Sequence, residues 1–113
     1  MPWRSTGIAL GAFPPGSLRE VHLDGTPVLV VRVGEQVHAV DGICPHAGGI
    51  LADGTLEGDR LTCPEHAASY DVRDGRVLSD PDGIEPPQGA VPPLARFRTR
   101  IAEEMIEVDV PGP

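Results

Sequence analysis

The run Cys44-Pro45-His46-Ala47-Gly48-Gly49 is answered downstream by Cys63-Pro64-Glu65-His66-Ala67, and the chain has no other cysteine. As a pattern this reads C-x-H, sixteen residues, C-x-x-H. Each segment brings one thiolate and one imidazole close together. In extended chain, residues i and i+2 point to the same side, so a Cys and a His so placed can reach two metal atoms lying side by side. Pro45 and Pro64 follow the cysteines directly; proline fixes φ and removes an N–H, which stiffens each loop. Gly48 and Gly49 allow positive φ and close backbone approach, leaving amides free to donate to sulfur.

Two sulfurs and two ring nitrogens in mixed pairs suit a two-iron, two-sulfide cluster in which two Cys hold one iron and two His the other. The rival is a structural zinc site, for which Cys2His2 is an ordinary ligand set. Zinc spacing usually groups Cys with Cys and His with His, and this chain does not. Either cysteine alone would read as a buried small hydrophobe; both beside a histidine at this gap would not. His22 and His38 fall in expected strands without a partner motif and are expected at the surface. Tyr70 can be a core aromatic, a hydrogen-bond donor to the cluster, or both.

Size and charge narrow the field. At 113 residues the chain is expected to be one domain, 1–113, with a modest core that a metal cluster would help to staple. Gly and Pro number 14 and 13, which favours turns over long helices. The net charge is -8, and all nine basic residues are arginine. That balance disfavours nucleic acid and anionic membranes as partners and fits steering toward a basic protein. No stretch approaches ~20 consecutive apolar residues, and the N-terminus lacks a basic region leading into an apolar run. The expected location is cytoplasmic.

Outward from the two segments, period-two alternation between turns predicts strands. The expected strands are Thr6–Ala12, Arg19–Leu23, Pro27–Val33, Gln36–Asp41, Gly54–Glu57, Arg60–Thr62, Ser69–Val72, Arg76–Leu78, Leu94–Ile101 and Met105–Val110. Ser79–Pro93, with five prolines, reads as an irregular loop. The architecture expected is all-β, an antiparallel β-sandwich or barrel. A subdomain over about 42–78 would be inserted in it and carry both ligand segments.

The stretch CPHAGGILADGTLEGDRLTCPEHAASYDVRDG, Cys44 to Gly75, resembles the cluster-binding region of Rieske proteins. It is especially similar to the Rieske-type 2Fe-2S ferredoxins of bacterial aromatic-ring dioxygenase systems. The resemblance runs from about Ile8 to Val110. It implies three small antiparallel sheets with the cluster at the tip of the subdomain. It implies that Cys44 and Cys63 hold one iron and His46 and His66 the other, with electrons entering and leaving at an exposed histidine end. The implied role is a one-electron carrier, not itself an enzyme, between an NAD(P)H-dependent reductase and a terminal oxygenase. A small Rieske subunit of a nitrite- or arsenite-type oxidoreductase is the alternative, with a non-redox zinc module behind it. The chain departs from respiratory Rieske proteins in having no loop disulfide cysteines and Ala68 where they place a serine. Ala67 replaces the usual glycine. The missing disulfide and serine, with the negative charge of Glu65 near the histidines, imply a reduction potential in the lower half of a family span of about −150 to +300 mV, with Tyr70 pulling the other way.

Overall fold

The computed structural model describes residues 3–45 and 48–111. Its strands are β1 (Trp3–Ala9), β2 (Leu18–Leu23), β3 (Thr26–Val33), β4 (Gln36–Asp41), β5 (Thr55–Glu57) and β6 (Arg60–Thr62), then β7 (Ser69–Asp71), β8 (Val77–Ser79), β9 (Arg96–Phe97), β10 (Thr99–Ala102) and β11 (Met105–Asp109). They form three antiparallel sheets, ordered β1-β11-β10, β2-β3-β4-β9 and β5-β6-β7-β8. The expected all-β class and three small sheets are what is found. The third sheet enters the chain between β4 and β9, which are neighbours in the second.

The β-branched run of β3 explains the layering. Val28 and Val30 join a core with Ile8, Phe13, Leu23, Ile106, Val108 and Val110. Leu29 and Val31, on the other face, join Val40, Leu51, Leu61, Tyr70 and Val72. A strand buried on both faces needs a continuous apolar run rather than alternation, and Val28-Leu29-Val30-Val31 supplies one. The second sheet is thus shared: one face packs on the first sheet and the other supports the third, where the ligand segments lie.

Three expectations need correction. The first strand begins at Trp3, not Thr6, and ends at Ala9, paired with Met105. Leu10–Ala12 is a single 3-10 turn, because past the Leu10 amide bond to the Glu104 carbonyl no neighbouring strand remains to pair with. The expected strand Leu94–Ile101 is two strands: β9 pairs with β4 and β10 with β11, so the chain changes sheets at Arg98. His38 is buried rather than at the surface. It lies two residues from Val40 on β4, and its Nε2 has no hydrogen-bond partner among the described residues. Burial first, then the charge of Arg96, holds its pKa below the ordinary imidazole value, against the opposing pull of Asp59 and Asp71. His22 is exposed as expected, beside Glu20. Trp3 packs beneath two arginines, with the Arg100 guanidinium 4.3 Å and that of Arg98 5.5 Å from its ring centre.

Candidate metal centre

The two ligand loops are closed by the same pair of backbone hydrogen bonds. In the first, the Cys44 amide donates to the Gly49 carbonyl (2.8 Å) and the Gly48 amide to the Cys44 carbonyl (3.0 Å). In the second, the Cys63 amide donates to the Ala68 carbonyl (2.8 Å) and the Ala67 amide to the Cys63 carbonyl (3.2 Å). The fourth residue after each cysteine is left-handed, with φ +70° at Gly48 and +63° at Ala67. Glycine takes that conformation without strain; alanine does not. The loops also touch. A Cβ on Gly49 would stand 2.6 Å from Glu65 Cγ and 3.1 Å from Cys63 Sγ, so only glycine lets the first loop lie against the second.

Cys44 and Cys63 are both buried and stand as thiols rather than as a disulfide. Burial pushes the Cys63 thiol up, and the Cys44 side chain adds to the rise, while the Glu65 and His66 amides that point at the sulfur pull it down. Ionised together, two sulfurs buried side by side would need a cation to neutralise them, and backbone amides are already aimed at one of them. That is the donor chemistry of a metal–sulfur centre. His66 is exposed, three residues beyond buried Cys63, so the loop turns its sulfur inward and its imidazole toward solvent. His46, the fourth expected ligand, lies outside the described residues.

Tyr70 is a core aromatic, and its hydroxyl lies beside a candidate ligand sulfur. It is fully buried in the core beneath the loops, and its hydroxyl is 3.4 Å from Cys44 Sγ. Its pKa is raised, chiefly by burial and then by the Cys44 hydrogen bond, so it remains a phenol able to donate.

Sequence reading missed a second set of contacts. The end of β8 and the segment after it grip the second loop from outside. The Asp82 amide donates to the His66 carbonyl at 2.5 Å, and the Ser79 hydroxyl donates to the Ala67 carbonyl at 3.3 Å. Asp80 closes this segment on itself: its carboxylate accepts the Gln88 amide at 2.5 Å and its own amide donates to the Ile84 carbonyl at 2.9 Å. The expected irregular loop is therefore a fitted wall of the site. A serine and two aspartates in a proline-rich stretch carry no spacing that would reveal it.

Comparison with known proteins agrees with this geometry. The chain is 34% identical over 95 residues to the ferredoxin CarAc of Metapseudomonas resinovorans, covering 83% of this chain and 81% of that protein. It is 34% identical over 74 residues to the ferredoxin component of the naphthalene 1,2-dioxygenase system of Pseudomonas aeruginosa, covering 66% and 71% respectively. Among solved structures, a chain from the complex of reduced oxygenase and oxidized ferredoxin in carbazole 1,9a-dioxygenase superposes with a TM-score of 0.83. It is 30% identical, over 96% of this chain and 93% of that one. The model of the Rieske [2Fe-2S] domain matches residues 8–92. With two like-built loops bringing buried cysteines together beneath an exposed histidine, the chain belongs to the Rieske [2Fe-2S] domain family.

Proposed function

We propose that the chain is a one-electron carrier that takes electrons from an NAD(P)H-dependent reductase and delivers them to a terminal ring-hydroxylating oxygenase. Cys44 and Cys63 would hold one iron of a 2Fe-2S cluster and His46 and His66 the other. The cluster, when bound, supplies reversible uptake of a single electron. The observation that carries the reading is the split exposure of the second loop: Cys63 is buried and His66 exposed. An electron delivered at the exposed imidazole meets no further protein to cross, while the sulfur end stays dry.

The chain's own residues prepare this exchange. Tyr70 can donate to Cys44 Sγ and so favours the added negative charge of the reduced state. Ile50 and Ile84, 48% and 51% exposed, stand on the first loop and on the segment that clasps His66. Each is an exposed apolar side chain of the kind a docking partner covers. The chain's net charge of -8 would steer a basic partner.

The test is an EPR spectrum of the dithionite-reduced protein with iron and sulfide counts, followed by transfer to a ring-hydroxylating oxygenase from a reductase. Two irons and two sulfides per chain with a Rieske-type signal support the reading; a colourless, zinc-loaded protein refutes it. The missing disulfide and serine, with Glu65 beside the second histidine, favour a potential in the lower half of the span of about −150 to +300 mV, and voltammetry near its top would contradict that.

A further inference from the structure

We propose that Ser79, backed by Ser69 and Arg60, is a positioning residue that locks the second ligand loop and raises the reduction potential of the site; this rests on the cluster reading above. The contacts form one line. Arg60 Nη1 donates to Ser69 Oγ at 2.8 Å, Ser69 Oγ and Ser79 Oγ are 2.6 Å apart, and Ser79 Oγ reaches the Ala67 carbonyl at 3.3 Å.

The direction of the line is fixed by its ends. A guanidinium can only donate and a carbonyl can only accept. Ser69 therefore receives from Arg60 and gives its proton to Ser79, and Ser79 gives its proton to Ala67. Each hydroxyl dipole points the same way, with Arg60, whose Nη1 is also paired with Glu85 at 2.7 Å, as the donor behind it, and aligned bonds of this kind polarise one another. Both serines are buried, so water does not compete for the links.

The line ends where the loop needs holding. Ala67 is left-handed at φ +63°, a conformation that persists in a non-glycine residue only when its surroundings impose it. Ser79 holds its carbonyl, and the Asp82 amide holds the carbonyl before it, that of His66. Because the peptide is trans and planar, anchoring the Ala67 carbonyl also fixes the Ala68 N–H, which turns away from Ser79. Ala68 is packed in the same core cluster as Cys44 and Cys63. The relay thus sets the loop geometry between exposed His66 and the buried sulfurs. It also presents the positive end of a dipole chain to a site that gains negative charge on reduction.

The experiment is voltammetry on the reconstituted full chain, with iron and sulfide counted in every sample. Ser79→Ala is expected to lower the potential. The drop should correspond to roughly a threefold to tenfold fall in the reduction equilibrium constant, the worth of a hydrogen bond, or up to about 59 mV for one electron. Ser79→Thr, which keeps the hydroxyl, should restore it. Ser69→Ala breaks the line one link further out, leaves the loop contact in place, and should lower the potential in the same direction. The double Ser69→Ala, Ser79→Ala variant should do little more than Ser79→Ala alone, because a line is broken only once. A fully loaded Ser79→Ala protein with unchanged potential, or additive single effects, overturns the relay while leaving the cluster reading intact. A wild-type chain that takes up no iron or sulfide overturns both.

Discussion

Gly75 offers a sharp test of how the third sheet is fastened to the second. It is buried, with φ +81°, in the turn between β7 and β8. Its amide donates to the Asp71 carbonyl at 2.7 Å and its carbonyl accepts the Leu94 amide at 2.8 Å. A Cβ there would stand 2.2 Å from the Leu94 carbonyl oxygen, a backbone atom that no rotamer change can move. Leu94 is itself buried, and the next carbonyl, Ala95's, accepts the Asp41 amide of β4. For Gly75→Ala, the left-handed backbone costs about 1–2 kcal/mol, offset by about 0.4–1 kcal/mol from a stiffer unfolded chain. The steric overlap adds about 1–3 kcal/mol, for a net loss of roughly 2–4 kcal/mol. At about 4 °C per kcal/mol for a domain of this size, that is a fall in Tm of roughly 8–16 °C. Gly58, at the β5–β6 turn, is the control: its φ is +60° but a Cβ there meets nothing within 4 Å. Gly58→Ala should lose no more than about 1.6 kcal/mol, because only the backbone cost and its unfolded-chain offset remain. Thermal unfolding of both variants, followed by circular dichroism, reads the difference directly. Equal losses would mean that the Leu94 segment yields without penalty and does not fasten the third sheet.

Other outcomes follow from single side chains. Ala67→Gly should stabilise the protein by about 1 kcal/mol, since it removes the left-handed strain at φ +63°; urea denaturation reads this, and a loss of stability would show that Ala67 is not strained. Asp71 is buried beneath Arg73 and Arg76, and the Arg73 hydrogen bonds hold its pKa at about 2 against 3.8 unperturbed. Its folded pKa is the lower one, so its contribution of about 2 kcal/mol is complete above pH 3.8 and lost as pH falls toward 2; Asp71→Asn should cost that much at pH 7, with the gap to wild type closing below pH 4. His38 has a depressed pKa, so the unfolded chain takes up its proton first and stability falls as pH drops below 6.5. His38→Leu should flatten that slope, and an unchanged slope would place the titration elsewhere.

What could be read from the chain alone divides along a physical line. The candidate ligand set stood out because a metal centre of this kind demands particular residue types: only Cys and His at those spacings would supply two sulfurs and two imidazoles, and the structure buries Cys44 and Cys63 and leaves His66 exposed. Most strands were legible because alternation and turn residues report local backbone geometry. Alternation does not say which sheet a strand joins, and so the run through Arg98 concealed the change from β4 to β11 as partner. Nor does it identify an inward position on a strand buried over three successive residues, which is why His38, between Val37 and Ala39, was expected outside. The Ser79–Asp82 wall was hidden for a deeper reason. It acts on the backbone carbonyls of His66 and Ala67, and a carbonyl accepts from any hydroxyl or amide that reaches it. A ligand is specified by what it is, a brace only by where it stands. In a small domain of this kind, residues that hold the loops are therefore found by following the donors that end on the loop backbone, as the Ser79 hydroxyl does at Ala67 and the Asp82 amide at His66.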